Sequence, residues 1–188
     1  MAHAGRKAAA LVLTATCPHP PLMSSTDPAQ PSTRRPFWLD LLIAVVPVVI
    51  TSAIGSAVTV PQIPGWYAGL VKPPFNPPNW LFAPVWTTLF AMMAYAVFRI
   101  LRQPLETRGA LVAYHVQLAL NLAWSCVFFG LNSPLGGILV ILPLLAMILV
   151  TIAAFARLDR ISAALLWPYL AWVSFATLLT VSIWWLNH

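Results

Sequence analysis

The chain has 188 residues, 60% of them hydrophobic and 7% charged, with ten basic and four acidic side chains and a net charge of +6. A soluble domain carries roughly a quarter charged residues, so the mean hydropathy of +0.83 describes a polytopic membrane protein rather than a water-soluble enzyme. No nucleic-acid partner is expected either, because Arg99, Arg102, Arg108, Arg157 and Arg160 fall in the short gaps between apolar runs, where membrane topology accounts for them.

Residues 1–36 hold six of the 18 prolines, four basic residues and many Ser and Thr, and read as a disordered tail. Arg6 and Lys7 ahead of Ala8 to Thr16 imitate a signal peptide, but the apolar stretch is short and the cleavage pattern poor. Met23 is an alternative start. The two cysteines, Cys17 in this tail and Cys126 in an apolar run, offer neither a disulfide framework nor a metal cluster.

From 37 to 188 the sequence predicts one all-α membrane domain, a five-transmembrane-helix bundle. Apolar segments at about Phe37–Val58, Asn79–Leu101, Ala110–Gly130, Pro134–Ala156 and Ile161–Leu186 are each long enough for one crossing, and backbone groups in lipid are satisfied only within helices or closed barrels. Short connections at 103–109, 131–133 and 157–160 make consecutive helices antiparallel neighbours. Five crossings put nine of the ten basic residues on one side and Lys72 alone on the other, which orients the N-terminus to the cytoplasm. Pro84 and Pro168 sit near helix starts, where a missing N–H costs least. Pro47 and Pro143 lie deeper, where a bend would open space between helices.

The long connection carries the densest signal. Seven prolines between Pro61 and Pro84 accompany Trp66, Trp80 and Trp86; they exclude a long helix or sheet strand, yet the aromatics have area to pack. Composition leaves two readings open, an ordered lid over the bundle mouth or an aromatic belt at headgroup depth.

On the third helix Gln117, Asn121, Trp124 and Phe128 share one face by their spacing. Amides at membrane depth point inward, either lining a pocket or bonding between packed helices; the resemblance given below adds the preference for pocket lining at Asn121 and Trp124 and leaves Gln117 open. Trp172, Ala176 and Leu179 form a face of the fifth helix in which a ring beside a small residue leaves a slot for a flat ligand. Trp86, Leu89 and Met93 do the same on the second, with Phe90 beside them, although such stripes also serve plain core packing. No nucleophile and base are paired for hydrolysis. His115 is either a haem-iron ligand or a simply hydrogen-bonded histidine. Ala119 and Ala123, a small-xxx-small pair on the third helix, would let two copies approach as a homodimer.

Three motifs in order resemble the TspO/MBR family, the translocator and tryptophan-rich sensory proteins once called peripheral-type benzodiazepine receptors. They are Trp66-Tyr67 through Lys72-Pro73 to Trp86, Gln117 to Ser125 with Phe128-Phe129, and Pro168 to Thr177; the resemblance spans about 37–187. It implies a five-helix bundle, often dimeric, that binds porphyrins such as protoporphyrin IX or haem-like tetrapyrroles, sterols and aromatic amides under the first long loop, with no obligatory cofactor and no metal. The resemblance also favours the lid reading. It puts the positions of Trp86 and Trp172 at the pocket and implicates them in light-dependent porphyrin breakdown. Tyr67 would offer a hydroxyl at the mouth, and Lys72 a cation or a headgroup anchor.

The sterol-recognition pattern expected near the end of the last helix is absent, with Thr180 and Trp185 in place of its usual Asn and Arg. Leu89, Tyr95 and Arg99 fit that loose pattern on the second helix, which matches often by chance; sterol binding is doubtful. A tetrapyrrole receptor is the first reading, a tetrapyrrole transporter the second and an assembly module without a ligand the third. Neither an internal repeat nor an intramembrane ionisable pair supports ion-coupled transport. Composition and charge asymmetry suit a bacterial inner membrane.

Overall fold

The structure is a computed structural model describing residues 35–188. The signal-like start, Met23 and all but the last two residues of the expected tail lie outside the described residues. Seven α-helices follow one another: α1 (Phe37–Thr59), α2 (Trp66–Gly69), α3 (Phe82–Leu101), α4 (Arg108–Ser125), α5 (Pro134–Ala156), α6 (Arg160–Ala164) and α7 (Trp167–Leu186), with no strand among the described residues. Five stretches, 37–62, 79–101, 108–130, 134–156 and 160–186, are long and apolar enough to cross a membrane. Their outward faces carry large exposed side chains such as Leu42, Val49, Leu139, Leu142, Val150 and Leu178, as expected where the solvent is hydrocarbon.

Local chemistry sets the boundaries. Pro134 opens α5 behind Ser133, whose hydroxyl accepts from the Gly136 N–H at 3.1 Å, and Asn132 turns the chain at φ 50°, a conformation Asn tolerates better than most residues. Asp159 caps α6, accepting from the Ser162 N–H at 3.1 Å and the Ser162 hydroxyl at 2.6 Å. The fifth crossing is interrupted between α6 and α7, where Pro168 enters the first turn of α7. Pro47 and Pro143, read above as possible bends, lie within continuous helices. The last turn of α4 widens into a π-turn over Cys126–Gly130, closed by the Leu131 N–H donating to the Cys126 carbonyl at 2.9 Å.

Around the bundle the order is α1, α4, α5, α7, α3: α4 packs on α1 and α5, α5 on α7, and α1 on α3. Met93, Ala96, Val97 and Ile100 of α3, Leu118 of α4, Ile141, Leu144 and Ile148 of α5, and Tyr169 and Val173 of α7 form the core. At one end two ion pairs tie helices together. Arg99 Nε donates to Asp159 at 2.7 Å, joining α3 to the cap of α6, and Arg102 reaches the buried Asp40 of α1 at 3.3 Å. Toward the other end rings join α3 to α7, with Phe82 against Trp172 at 5.8 Å and Trp86 against Tyr169 at 6.3 Å between centroids.

Candidate functional site

Where α3 and α7 stand apart, the bundle encloses a cavity of about 250 Å³. Its walls come from α1 (Thr51, Ser52, Gly55, Ser56, Thr59), α3 (Phe82, Ala83, Trp86, Thr87, Phe90), α4 and its π-turn (Asn121, Trp124, Ser125, Phe128, Phe129) and α7 (Trp172, Phe175, Ala176, Leu179, Thr180, Ile183). Tyr67 and Asn79 border it from the long connection.

The third-helix face is brought to the cavity in part. Asn121, Trp124 and Phe128 line it; Gln117, one turn earlier, is fully buried in the core, with both amide atoms unpartnered among the described residues. Asn121 is held by its own bond, Nδ2 donating to the Tyr169 hydroxyl at 3.1 Å. Trp124 stacks on Phe128 with centroids 5.2 Å apart and planes 14° from parallel. The π-turn brings the consecutive Phe128 and Phe129 both to the wall, a placement the sequence spacing did not suggest. It needs room behind it: a Cβ at Gly137 of α5 would come within 2.8 Å of the Phe128 ring.

Trp172, Ala176 and Leu179 line the cavity together. On α3 the expected face is corrected. Trp86 and Phe90 border the cavity with Phe82 and Ala83, whereas Leu89 and Met93 point into the packed core. The long connection is ordered as a lid. Trp66 packs edge-on against Phe128 at 5.4 Å, and Phe75 against Phe175 at 6.4 Å. The Tyr67 hydroxyl donates to Asn76 Oδ1 at 2.8 Å, and burial holds that phenol above its ordinary ionisation range, leaving it a neutral donor.

Lys72 is turned away from the cavity wall. Its ammonium donates to the Ala68 and Leu70 carbonyls at 3.2 and 3.0 Å and lies 4.8 Å from the Tyr67 ring centroid, so its charge stabilises the lid's own turn. Asn187, which the sequence pattern did not single out, fastens the lid to the end of α7. Its Oδ1 accepts from the Val71 N–H at 2.9 Å, and its Nδ2 donates to the Val71 carbonyl at 2.9 Å and the Ile183 carbonyl at 2.7 Å.

His115 lies exposed on α4, its Nδ1 2.7 Å from the Leu111 carbonyl, and does not line this cavity. No cluster of metal-ligating side chains occurs among the described residues. Of the loose sterol pattern, Leu89 is in the core and Arg99 is paired with Asp159, so the three residues do not form one lipid-facing patch. The α1 hydroxyls were overlooked by the sequence reading, although Ser52, Ser56 and Thr59 recur at i, i+4 and i+7 within an apolar run, the spacing of one helix face.

A five-helix integral membrane protein with an aromatic-walled cavity beneath an ordered lid is the class this arrangement defines. The family model of the TspO/MBR family matches residues 43–186, and the chain belongs to that family. It is 46% identical over 136 residues to the tryptophan-rich protein TspO of Chlorobaculum tepidum, covering 71% of this chain and 86% of that one. The corresponding protein of Archaeoglobus fulgidus is 36% identical over 150 residues, 79% and 97% of the two chains. The human translocator protein is 38% identical over 127 residues, 65% and 75%.

Proposed function

We propose that the protein is a membrane receptor or sensor for porphyrin-type tetrapyrroles, of which protoporphyrin IX is the type compound, and for flat aromatic amides. The observation that carries this reading is the placement of Trp86 and Trp172 on facing helices, α3 and α7, at the wall of one cavity under a lid. Indole faces satisfy the faces of a flat apolar macrocycle without any charged partner. At about 250 Å³ the cavity lies just below the usual range for drug-sized ligands, roughly 300–1,000 Å³. A macrocycle therefore enters with the lid displaced, its acidic edge toward the mouth and Tyr67.

The concentration of arginines at one end supports a cytoplasmic N-terminus and a bacterial inner membrane. The outer face of α4, where Ala119 is exposed, is the proposed contact for a second copy. The transporter alternative gains nothing from the site, where no charged side chain lines the cavity.

The test is a tryptophan-fluorescence titration of detergent-purified protein with protoporphyrin IX in the dark. The expected result is saturable quenching, weakened about tenfold, or 1.4 kcal/mol, in Trp86→Phe or Trp172→Phe. Linear quenching, or quenching unchanged in both variants, contradicts the reading. Repeating the titration in air under light tests whether the two indoles also support oxidation of the excited macrocycle, seen as loss of its absorbance.

A further inference from the structure

A hydroxyl inside an apolar helix has one ready partner, the carbonyl four residues back. Thr88, Thr151, Ser174, Thr177 and Ser182 take it, at 2.7 to 2.9 Å. Thr87 and Thr180, which border the cavity, are satisfied in the same way at 2.9 and 2.7 Å. Among the helical Ser and Thr hydroxyls of the described residues, those with no hydrogen bond are Thr51, Ser52, Ser56 and Thr59 of α1 and Ser125 of α4, and all of them line this cavity.

Their placement forms a surface. Ser52, Ser56 and Thr59 lie along one line of α1, spanning about 10 Å at the rise of an α-helix. Thr51 is 6% exposed, so its hydroxyl has the cavity as its outlet. Gly55 leaves the neighbouring turn open toward α4, where a Cβ would stand 3.6 Å from Ser125 Oγ. Asn121, 4% exposed, spends its Nδ2 on Tyr169 and adds an uncommitted Oδ1. Across the cavity the α3 and α7 walls carry the rings of Phe82, Trp86, Phe90, Trp172 and Phe175 among small, aliphatic and already satisfied Thr side chains. The site therefore has one hydrogen-bonding wall and one aromatic wall, and its lining contains no Asp, Glu, Lys, Arg or His. An ionised group at the deep end of the α1 wall, beside the buried Thr51 and Asn121, would lack a counter-charge, which costs far more than burying a neutral acceptor that gains a hydrogen bond.

We propose that the α1 hydroxyls, with Ser125, are a hydrogen-bonding subsite, and that the ligand they accept is a flat ring system bearing an uncharged acceptor, a carbonyl, ester or hydroxyl, on the edge turned toward α1. This deepens the preceding reading and rests on it for the seating of the rings against Trp86 and Trp172. A tetrapyrrole bound in this way keeps its ionised acids at the mouth and turns neutral substituents to α1.

The test uses two uncharged tricyclic probes that differ by one carbonyl, 9-fluorenone and fluorene, with full-length protein in detergent. Apparent Kd is read from the dose-dependent rise of the unfolding midpoint, since a ligand of the folded state raises it. Fluorenone should bind wild type about tenfold more tightly than fluorene. In Ser52→Ala/Ser56→Ala/Thr59→Val that ratio should fall to about one, with fluorene affinity unchanged. Ser125→Ala, a lighter change that serves if the triple variant does not fold, should lower the ratio part of the way. Equal affinities in wild type, a ratio that survives these substitutions, or no saturable binding of either probe overturns the proposal. Protoporphyrin IX titrated in parallel separates the two readings: its failure to bind while the fluorenone preference persists removes the tetrapyrrole assignment and supports the α1 subsite, whereas porphyrin binding with no fluorenone preference does the reverse.

Discussion

The arginine end of the bundle and the lid end are held by different chemistry. At the former, Arg99–Asp159 and Arg102–Asp40 fix α3 to α6 and to α1 through charge. At the latter, Tyr67–Asn76, the Asn187–Val71 pair and edge-on aromatic contacts close the lid without an ion pair among the described residues. Charge-assisted bonds are roughly twice as strong as neutral ones. One end is thereby a fixed base, and the other is closed by weaker, neutral bonds. The cavity lies at the second end, where neutral bonds make local opening cheaper than at the first.

The comparison predicts unequal effects. Asp159→Ala removes the α6 cap and strands Arg99, and should cost about 2 kcal/mol, lowering the unfolding midpoint by roughly 6 °C. Hydrogen bonds from Arg99 and then Ser162 hold the Asp159 carboxyl below its ordinary value of 3.8. A depressed carboxyl contributes stability that is full above that ordinary value and is lost as pH falls through the lower, folded-state value. The midpoint gap between wild type and Asp159→Asn should therefore be constant from pH 7 to pH 5 and shrink in stronger acid.

Asn187→Ala at the opposite end should cost less, about 1 kcal/mol, and its effect should stay local. Chymotryptic cleavage after the exposed Phe75 of the lid should speed up several-fold while the midpoint moves little. Tyr67→Phe, which leaves the Asn76 amide free to turn to water, should be the mildest, at roughly 0.5 kcal/mol, detectable as a small rise in the same cleavage rate. If Asn187→Ala lowered the global midpoint as much as Asp159→Ala, the two ends would not differ as described.

The helices were legible because length and apolarity alone dictate crossings. The five expected segments agree with the structure to within a few residues at their ends. Spacing grouped Trp124 with Phe128 and Trp172 with Ala176 and Leu179 on single helix faces, the family resemblance pointed Trp86 and Trp172 at a pocket, and all six reach the cavity. What failed depended on which way a helix is turned about its axis. Leu89 and Met93 share a face with Trp86 by periodicity, yet the packing of α3 on α1 sends them to the core. The π-turn that exposes Phe129, the carbonyls that engage Lys72 and the reach of Asn187 to Val71 arise from backbone paths that no residue spacing encodes. The α1 hydroxyls were visible as a repeat but had no meaning until the cavity gave them one wall to share.

Hydrogen exchange of the purified protein, measured in the dark with and without protoporphyrin IX, tests most directly whether the lidded cavity is the binding site. The account predicts slower exchange of lid amides in 60–78 and of the cavity-facing turns of α3 and α7, with the arginine end unchanged. Exchange unaltered by the porphyrin, or slowed only along the outward faces of the helices, would contradict it.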